Sequence, residues 1–86
     1  MLIITSKNFD KKFKKLSRKV QLHAKNRIAL FISNQFDVRL NNHLLHSEKK
    51  LLRSINITGD LRLVYEEIDE DVARFLDLDT HSNLYS

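Results

Sequence analysis

The chain has no cysteine, no proline and a single glycine, Gly59, among its 86 residues. Without cysteine there is no disulfide framework and no thiolate metal site. Such a chain suits a reducing cytoplasm. Without proline, and with one glycine, the connections between elements are expected to be short and economical. No stretch approaches the roughly 18 apolar residues of a membrane span. The opening MLIITSKNFDKK has too short an apolar run for a secretory signal, and its charges follow that run. There is no internal repeat and no low-complexity linker. Residues 1–86 read as one domain. A domain this small buries only roughly 60–65% of its unfolded surface, so its core is thin. A deep cofactor pocket is therefore not expected, and neither cofactor nor metal is implied. Any active surface is a shallow groove.

Hydrophobic residues make up 42% and charged residues 30% of the chain, as in a soluble globular protein. The charge is divided unevenly. Residues 1–50 hold 12 Lys/Arg against 3 Asp/Glu, whereas residues 51–86 hold 3 against 8. The halves thus carry +9 and −5 within a net charge of +4. A basic half points to a polyanionic partner such as RNA, DNA or an acidic protein. It also serves plain solubility.

Met1 to Thr5 is apolar and β-branched and predicts a short strand. Ser6 is placed to cap a helix in which Phe9, Phe13 and Leu16 form one stripe. Lys11, Lys12, Lys14 and Lys15 fall mainly off that stripe. Ser17 is placed to cap a second helix, with Val20, Ala24, Ile28 and Phe31 at helical spacing. Leu22, Ala29 and Ile32 are expected to widen its stripe, and Ser33-Asn34 to end it. Residues 35–50 lack clear periodicity, apart from an extended run near Leu44-Leu45. From Leu51 the period becomes two. Arg53, Ile55 and Ile57 alternate against Leu52, Ser54, Asn56 and Thr58, and Leu61, Leu63 and Tyr65 against Arg62 and Val64. Thr58-Gly59 reads as a tight hairpin turn with glycine free to take positive φ. Glu66 to Asp71 reads as an acidic turn before a last strand, VARFLDLD. The expected order is β-α-α-β-β-β: an α+β fold with two helices covering one face of an antiparallel sheet.

Three separated motifs carry a more specific signal. They are NNHLLHSEKK, LLRSINITGDLRLVY and LDLDTHSNLY. Together they resemble the RelE/ParE superfamily of type II toxin–antitoxin toxins, and the YafQ-like branch in particular. Members of that branch show an NHxLxG element, an R-S/D…D-x-R/L-hydrophobic-Y hairpin and a closing GTHxxLY/F. The likeness follows element order over nearly the whole chain and is residue-specific from Arg39 to Tyr85. It implies ribosome-dependent cleavage of mRNA and a cognate antitoxin that wraps and neutralises the toxin.

Metal-free RNA cleavage needs a base for the 2′-OH, an acid for the 5′-oxygen, and donors for the phosphorane charge. His81 matches the histidine of the closing motif, and imidazole can act as acid or base near neutral pH. Otherwise it is a surface histidine. The resemblance maps Asp60 onto an acidic catalytic residue, but aspartate beside glycine is also ordinary turn chemistry. His43 matches the NHxL histidine; alternatively it hydrogen-bonds loop backbone. His46 and His23 read as bystanders. Arg53 and Arg62 stand on the two hairpin strands, where guanidinium forks suit phosphate oxygens; the competing reading is pairing with Asp60 or Glu66. Tyr85 is placed to stack on a base or to pack the tail down. Lys11, Lys12, Lys15 and Arg18, with Lys14 and Lys19, would contact ribosomal RNA, largely without regard to sequence.

Three positions depart from the branch pattern. Asn56 replaces a second histidine and cannot shuttle protons. Asp77 stands where an arginine is expected, with Arg74 or Arg62 as substitutes. Asp79 replaces glycine, within reach of His81. The rival expectations are a ParE-like inhibitor of DNA gyrase and an RNA-binding module of this fold that has lost catalysis.

Overall fold

A computed structural model describes residues 1–45 and 52–85, with the Tyr85 side chain outside the description. Strand β1 (Leu2–Thr5) leads into α1 (Lys7–Lys15) and α2 (Arg18–Ser33). A 3₁₀ turn (Val38–Leu40) precedes the short β2 (His43–Leu45), then β3 (Leu52–Asn56), β4 (Leu61–Asp69), β5 (Val72–Thr80) and a terminal helix α3 (His81–Tyr85). The expected α+β order is present, with β2 arising from the run at Leu44-Leu45 and a short helix α3 added in the tail that follows the last strand. The sheet order is β1-β5-β4-β3-β2. β2 to β5 form an antiparallel meander, and β1 joins β5 in parallel, so the five-stranded sheet is mixed.

Capping chemistry starts both long helices as the sequence suggests. The Ser6 hydroxyl accepts from the Phe9 N–H at 3.0 Å, and the Ser17 hydroxyl accepts from the Val20 N–H at 3.2 Å. Two residues separate the helices, and the Gln21 amide donates to the Phe13 carbonyl at 3.1 Å, closing the αα-hairpin. Phe9, Ala24 and Phe31 bury their side chains against Ile55, Ile57, Leu63, Tyr65, Ala73, Phe75 and Leu78. Phe31 meets Tyr65 and Phe75 edge-on, with centroids 4.8 and 5.8 Å apart. Leu22, Ala29 and Ile32 do not widen the buried stripe; all three are exposed on the outer side of α2. A helix in a two-layer domain has only one face to bury, and Ala24 and Phe31 occupy it.

β5 contains a bulge that the alternation alone does not reveal. Val64 faces Asp77 whereas Tyr65 faces Phe75, so Leu76 is passed over in the register. The Leu76 carbonyl accepts instead from the Ser6 hydroxyl and the Asn8 amide, both at 3.0 Å. The bulge seats the start of α1 on the edge of β5, beyond the end of β1. It also sends Leu78 to the core and pairs Asp77 and Asp79 with Val64 and Arg62, whose side chains face away from it.

Two turns differ from expectation. Gly59 does not take positive φ; among the described residues Asn41 does, at φ 46°. In the hairpin, the Thr58 side chain substitutes for glycine's freedom by accepting from the N–H groups of Leu61 and Asp60, at 3.0 and 3.3 Å. The acidic segment is mostly strand, since β4 runs to Asp69 and only Glu70-Asp71 make the turn.

Candidate active site

Alternation divides the sheet. Arg53, Ile55, Ile57, Leu63 and Tyr65 face the helices, while Ser54, Asn56, Arg62 and Val64 face away. On that face, open in the sense that the two long helices do not cover it although Ser54, Val64 and Arg62 are buried, the register aligns side chains across strands. His43 lies opposite Ser54, Ser54 opposite Val64, and Val64 opposite Asp77. One step along, Asn56 lies opposite Arg62, and Arg62 opposite Asp79. His81 follows the end of β5. The two histidines thus start from strands separated by three interstrand spacings, about 14 Å, with Asn56 and Arg62 between them.

His43 is held by its own loop. Asp37 caps the 3₁₀ turn by accepting from the Arg39 N–H at 2.9 Å, and the Arg39 guanidinium holds the Asp37 carboxyl down at about 2. Asn41 then adopts the left-handed conformation, which asparagine tolerates better than most residues. Its carbonyl sits 2.8 Å from His43 Nδ1. A carbonyl only accepts, so this bond requires Nδ1–H and leaves Nε2 as the basic nitrogen of the neutral ring.

Asn42 is a hub that sequence reasoning did not single out. Its amide donates to the Tyr65 hydroxyl at 2.7 Å and to the Gln35 carbonyl at 2.9 Å, and its Oδ1 accepts from Arg53 Nε at 2.8 Å. Burial pushes the Tyr65 hydroxyl up, against these hydrogen bonds. The Arg53 guanidinium also lies 5.3 Å from the Phe36 ring centroid. Arg53 therefore stands on the helix side, bracing the loop that carries His43, and is not gathered with the open-face residues. Its Nε–H goes to Asn42 and not to Asp60 or Glu66. The doubled asparagine before His43 was the available signal.

Arg62 is gathered with them but is occupied. Only 8% exposed, it donates through Nη1 to the carbonyls of Thr58 and Gly59 at 3.0 and 3.2 Å. It ties the β3–β4 turn together and does not pair with Asp60 or Glu66. Asp60, exposed in that turn, accepts the His81 N–H through its carbonyl at 2.8 Å. The hairpin turn and the start of α3 are thereby joined, and Asp60 and His81 are brought side by side.

The segment DTHSN is a helix start. Thr80 Oγ1 accepts from the Asn83 N–H at 3.2 Å, and the Asn83 amide reaches back to Asp79 at 2.9 Å. The Thr80 N–H also donates to Asp79, at 2.8 Å. The Asn83 amide foremost, then the Thr80 N–H, hold the Asp79 carboxyl below the usual range against the effect of burial. These bonds engage Asp79 with the cap of α3, and His81 projects as its exposed first residue.

The cations divide likewise. Lys12 lies 2.7 Å from Asp77, whose hydrogen bond raises the ammonium pKa, so this lysine rather than Arg74 or Arg62 is the cation paired at that position. Arg74 stands exposed on β5 opposite Glu66. Lys11, Lys14 and Lys15 line, with Lys7 and Asp10, a shallow depression of about 500 Å³ on α1. Arg18 and Lys25 line another beside it on α2, of about 460 Å³. Both depressions lie on the helix layer, away from His43 and His81. His23 is exposed and borders the β3–β4 turn. His46 lies outside the described residues. Among the described residues, no group of three His, Asp or Glu side chains is placed to hold a metal ion. No helix is long and apolar enough to cross a membrane.

No family model matches the chain, and no curated protein matches it by sequence. Solved structures do. YafQ from E. coli superposes with a TM-score of 0.76 at 24% identity, covering 98% of this chain and 97% of that one. A metal-bound toxin from Helicobacter pylori matches with a TM-score of 0.70 at 25% identity, over 99% of both chains. A YoeB/ParE toxin from Agrobacterium tumefaciens reaches a TM-score of 0.76 at 13% identity, over 94% of this chain and 99% of that one. The chain has the fold of the RelE/ParE-superfamily toxins and resembles YafQ over nearly its whole length.

Proposed function

We propose that this protein is the toxin of a type II toxin–antitoxin module and cleaves mRNA on the ribosome without a metal. The observation that carries the reading is the pair of histidines presented from opposite sides of one sheet face. His43 has its Nδ1–H fixed on the Asn41 carbonyl, and His81 stands at the start of α3 beside Asp60. His43 Nε2 takes the proton of the 2′-OH. The 2′-oxygen attacks phosphorus, the bond from phosphorus to the 5′-oxygen breaks, and His81 returns a proton to that oxygen. The products are a 2′,3′-cyclic phosphate and a 5′-hydroxyl end, with no outside reactant. Asp60 assists the proton handling at His81. Tyr85 is kept as the aromatic residue that stacks on a base or hydrogen-bonds near the phosphate. Lys11, Lys15 and Arg18 contact ribosomal RNA; Lys12 contributes less, being paired with Asp77.

The partners of this reading are the ribosome, mRNA and a cognate antitoxin in the cytoplasm. Solved neighbours are described as an E. coli DinJ-YafQ toxin-antitoxin complex and an archaeal RelE-RelB complex, which supports the last of these. The test is cleavage of mRNA on programmed ribosomes in vitro. His81→Ala is expected to slow it about 10²–10⁴-fold, the usual contribution of a general acid or base. Unchanged cleavage by that variant would sink the mechanism. Inhibition of gyrase supercoiling by a chain that leaves mRNA intact would move it to the ParE-like class. Salt-sensitive RNA binding without cleavage would mark a module that has lost catalysis.

A further inference from the structure

Between the two histidines lies a pair of buried polar atoms that no group among the described residues satisfies. Asn56 and Arg62 are direct cross-strand partners on β3 and β4. Arg62 is 8% exposed, and its Nε–H has no hydrogen-bond partner although Nη1 is committed to the turn carbonyls. Asn56 Oδ1 is likewise buried without a partner, while the amide nitrogen of the same side chain is not so enclosed. Unsatisfied buried polar atoms are rare because they are costly, and each calls for an explanation. Here one atom is a donor and the other an acceptor, on neighbouring strands whose facing Cβ atoms stand about 4.5–5.5 Å apart.

Their polarity fixes which way round the amide stands. With Oδ1 inward, an acceptor faces the buried guanidinium. With the amide flipped, two N–H donors would oppose each other beside a buried positive charge. The positive charge of Arg62 therefore favours the Asn56 carbonyl inward, with no hydrogen bond joining the two side chains, and leaves the Nδ2 hydrogens toward the open face, on the strand next to the one that carries His43. That is where the phosphorus must sit if the two rings exchange protons with the oxygens on either side of it.

Resting on the RNA-cleavage reading above, we infer that Asn56 is a catalytic residue whose Nδ2–H donates to a non-bridging oxygen of the scissile phosphate. Arg62 is its positioning residue rather than a phosphate ligand. The amide is a preorganised neutral donor, so it stabilises the charge that builds on the phosphorane oxygens. It takes up no proton at any working pH. The site thus separates charge stabilisation from proton transfer.

The test uses the full-length protein on ribosomes programmed with an mRNA carrying a single phosphorothioate, of defined stereochemistry, at the cleaved linkage. Asn56→Ala is expected to slow single-turnover cleavage about 10²–10³-fold, the effect of deleting one such donor, with little change in ribosome affinity. The unmodified chain should be slowed more by sulfur at one non-bridging position than at the other, and Asn56→Ala should lose that difference. Arg62→Gln should slow cleavage without altering KM, and the double variant should be no slower than Asn56→Ala alone. If Arg62→Gln does not fold, the Asn56→Ala rate and sulfur effect decide the matter. Wild-type cleavage by Asn56→Ala, or an undiminished diastereomer preference, overturns the inference. If the unmodified chain cuts no mRNA at all, the functional reading falls and this inference with it. If it cuts, and His81→Ala does not, a normal Asn56→Ala removes only the role of Asn56.

Discussion

The two faces of the sheet are built from the same strands but to different standards. The helix side is apolar, aromatic and closed: Phe31, Tyr65 and Phe75 interlock, and its main polar insertion, Asn42, meets a carbonyl, a hydroxyl and a guanidinium. The open side holds His43, Ser54, Asn56, Arg62, Asp77 and Asp79, and it contains both buried polar atoms that lack partners among the described residues. A face that only had to fold would not leave a buried donor and acceptor unmet. The contrast says that stability is concentrated on one side and chemical potential is kept on the other.

That division can be broken deliberately. The largest stability effect is expected on the helix side. Phe31→Ala removes a fully buried ring from the aromatic cluster and should cost about 3–5 kcal/mol, measured by urea unfolding. Cleavage per folded molecule should stay within a few-fold. A specific activity that falls as far as stability would show the faces to be coupled. Asn42→Ala tests the one place where they meet. It removes the bonds to the Tyr65 hydroxyl and Arg53 Nε and should cost about 1–3 kcal/mol. Because the same loop carries His43, it should also slow cleavage more than Phe31→Ala does. Equal rates for the two variants would separate the hub from the histidine.

The smallest effect concerns pH. The Asp79 carboxyl is held below its ordinary value by the Asn83 amide and the Thr80 N–H. A carboxyl lowered on folding stabilises the native state fully above its unfolded pKa and loses that contribution as pH falls through the folded one. The start of α3 should therefore loosen only below about pH 4, where unfolded aspartate begins to protonate. In Asp79→Asn that acid limb should flatten. Amide exchange at Asn83 against pH reads the difference, and an unchanged acid limb in the variant would remove Asp79 as its source.

Much of the fold was legible because periodicity reports burial. The stripe from Phe9 to Leu16 and the alternation from Ile55 to Tyr65 fix which faces must be covered, and the caps at Ser6 and Ser17 fix where helices begin. The missed features are those in which a side chain or a bulge overrides a local rule. Phe75 and Leu78 are both buried at a spacing of three, which no regular strand permits, so a bulge at Leu76 was implied by the pattern but not read from it. Thr58 took over the work expected of Gly59. In the site, the motifs named His43, Asp60 and His81 as candidates, and the fold joins Asp60 to His81 through the main chain. Arg53 was not separable from Arg62, because only strand direction at that residue decides which face each guanidinium meets.

The sequence by itself determined the two-layer α+β plan, the cationic helix layer and the short list of groups capable of proton transfer. These are local properties, carried by residue type and spacing. Only the tertiary structure decided that Arg53 braces a loop, that Lys12 neutralises Asp77, and that Asn56 and Arg62 face one another between two histidines. Those facts depend on strand register and on contacts between residues as far apart as Lys12 and Asp77, and register is settled by which faces can be buried together.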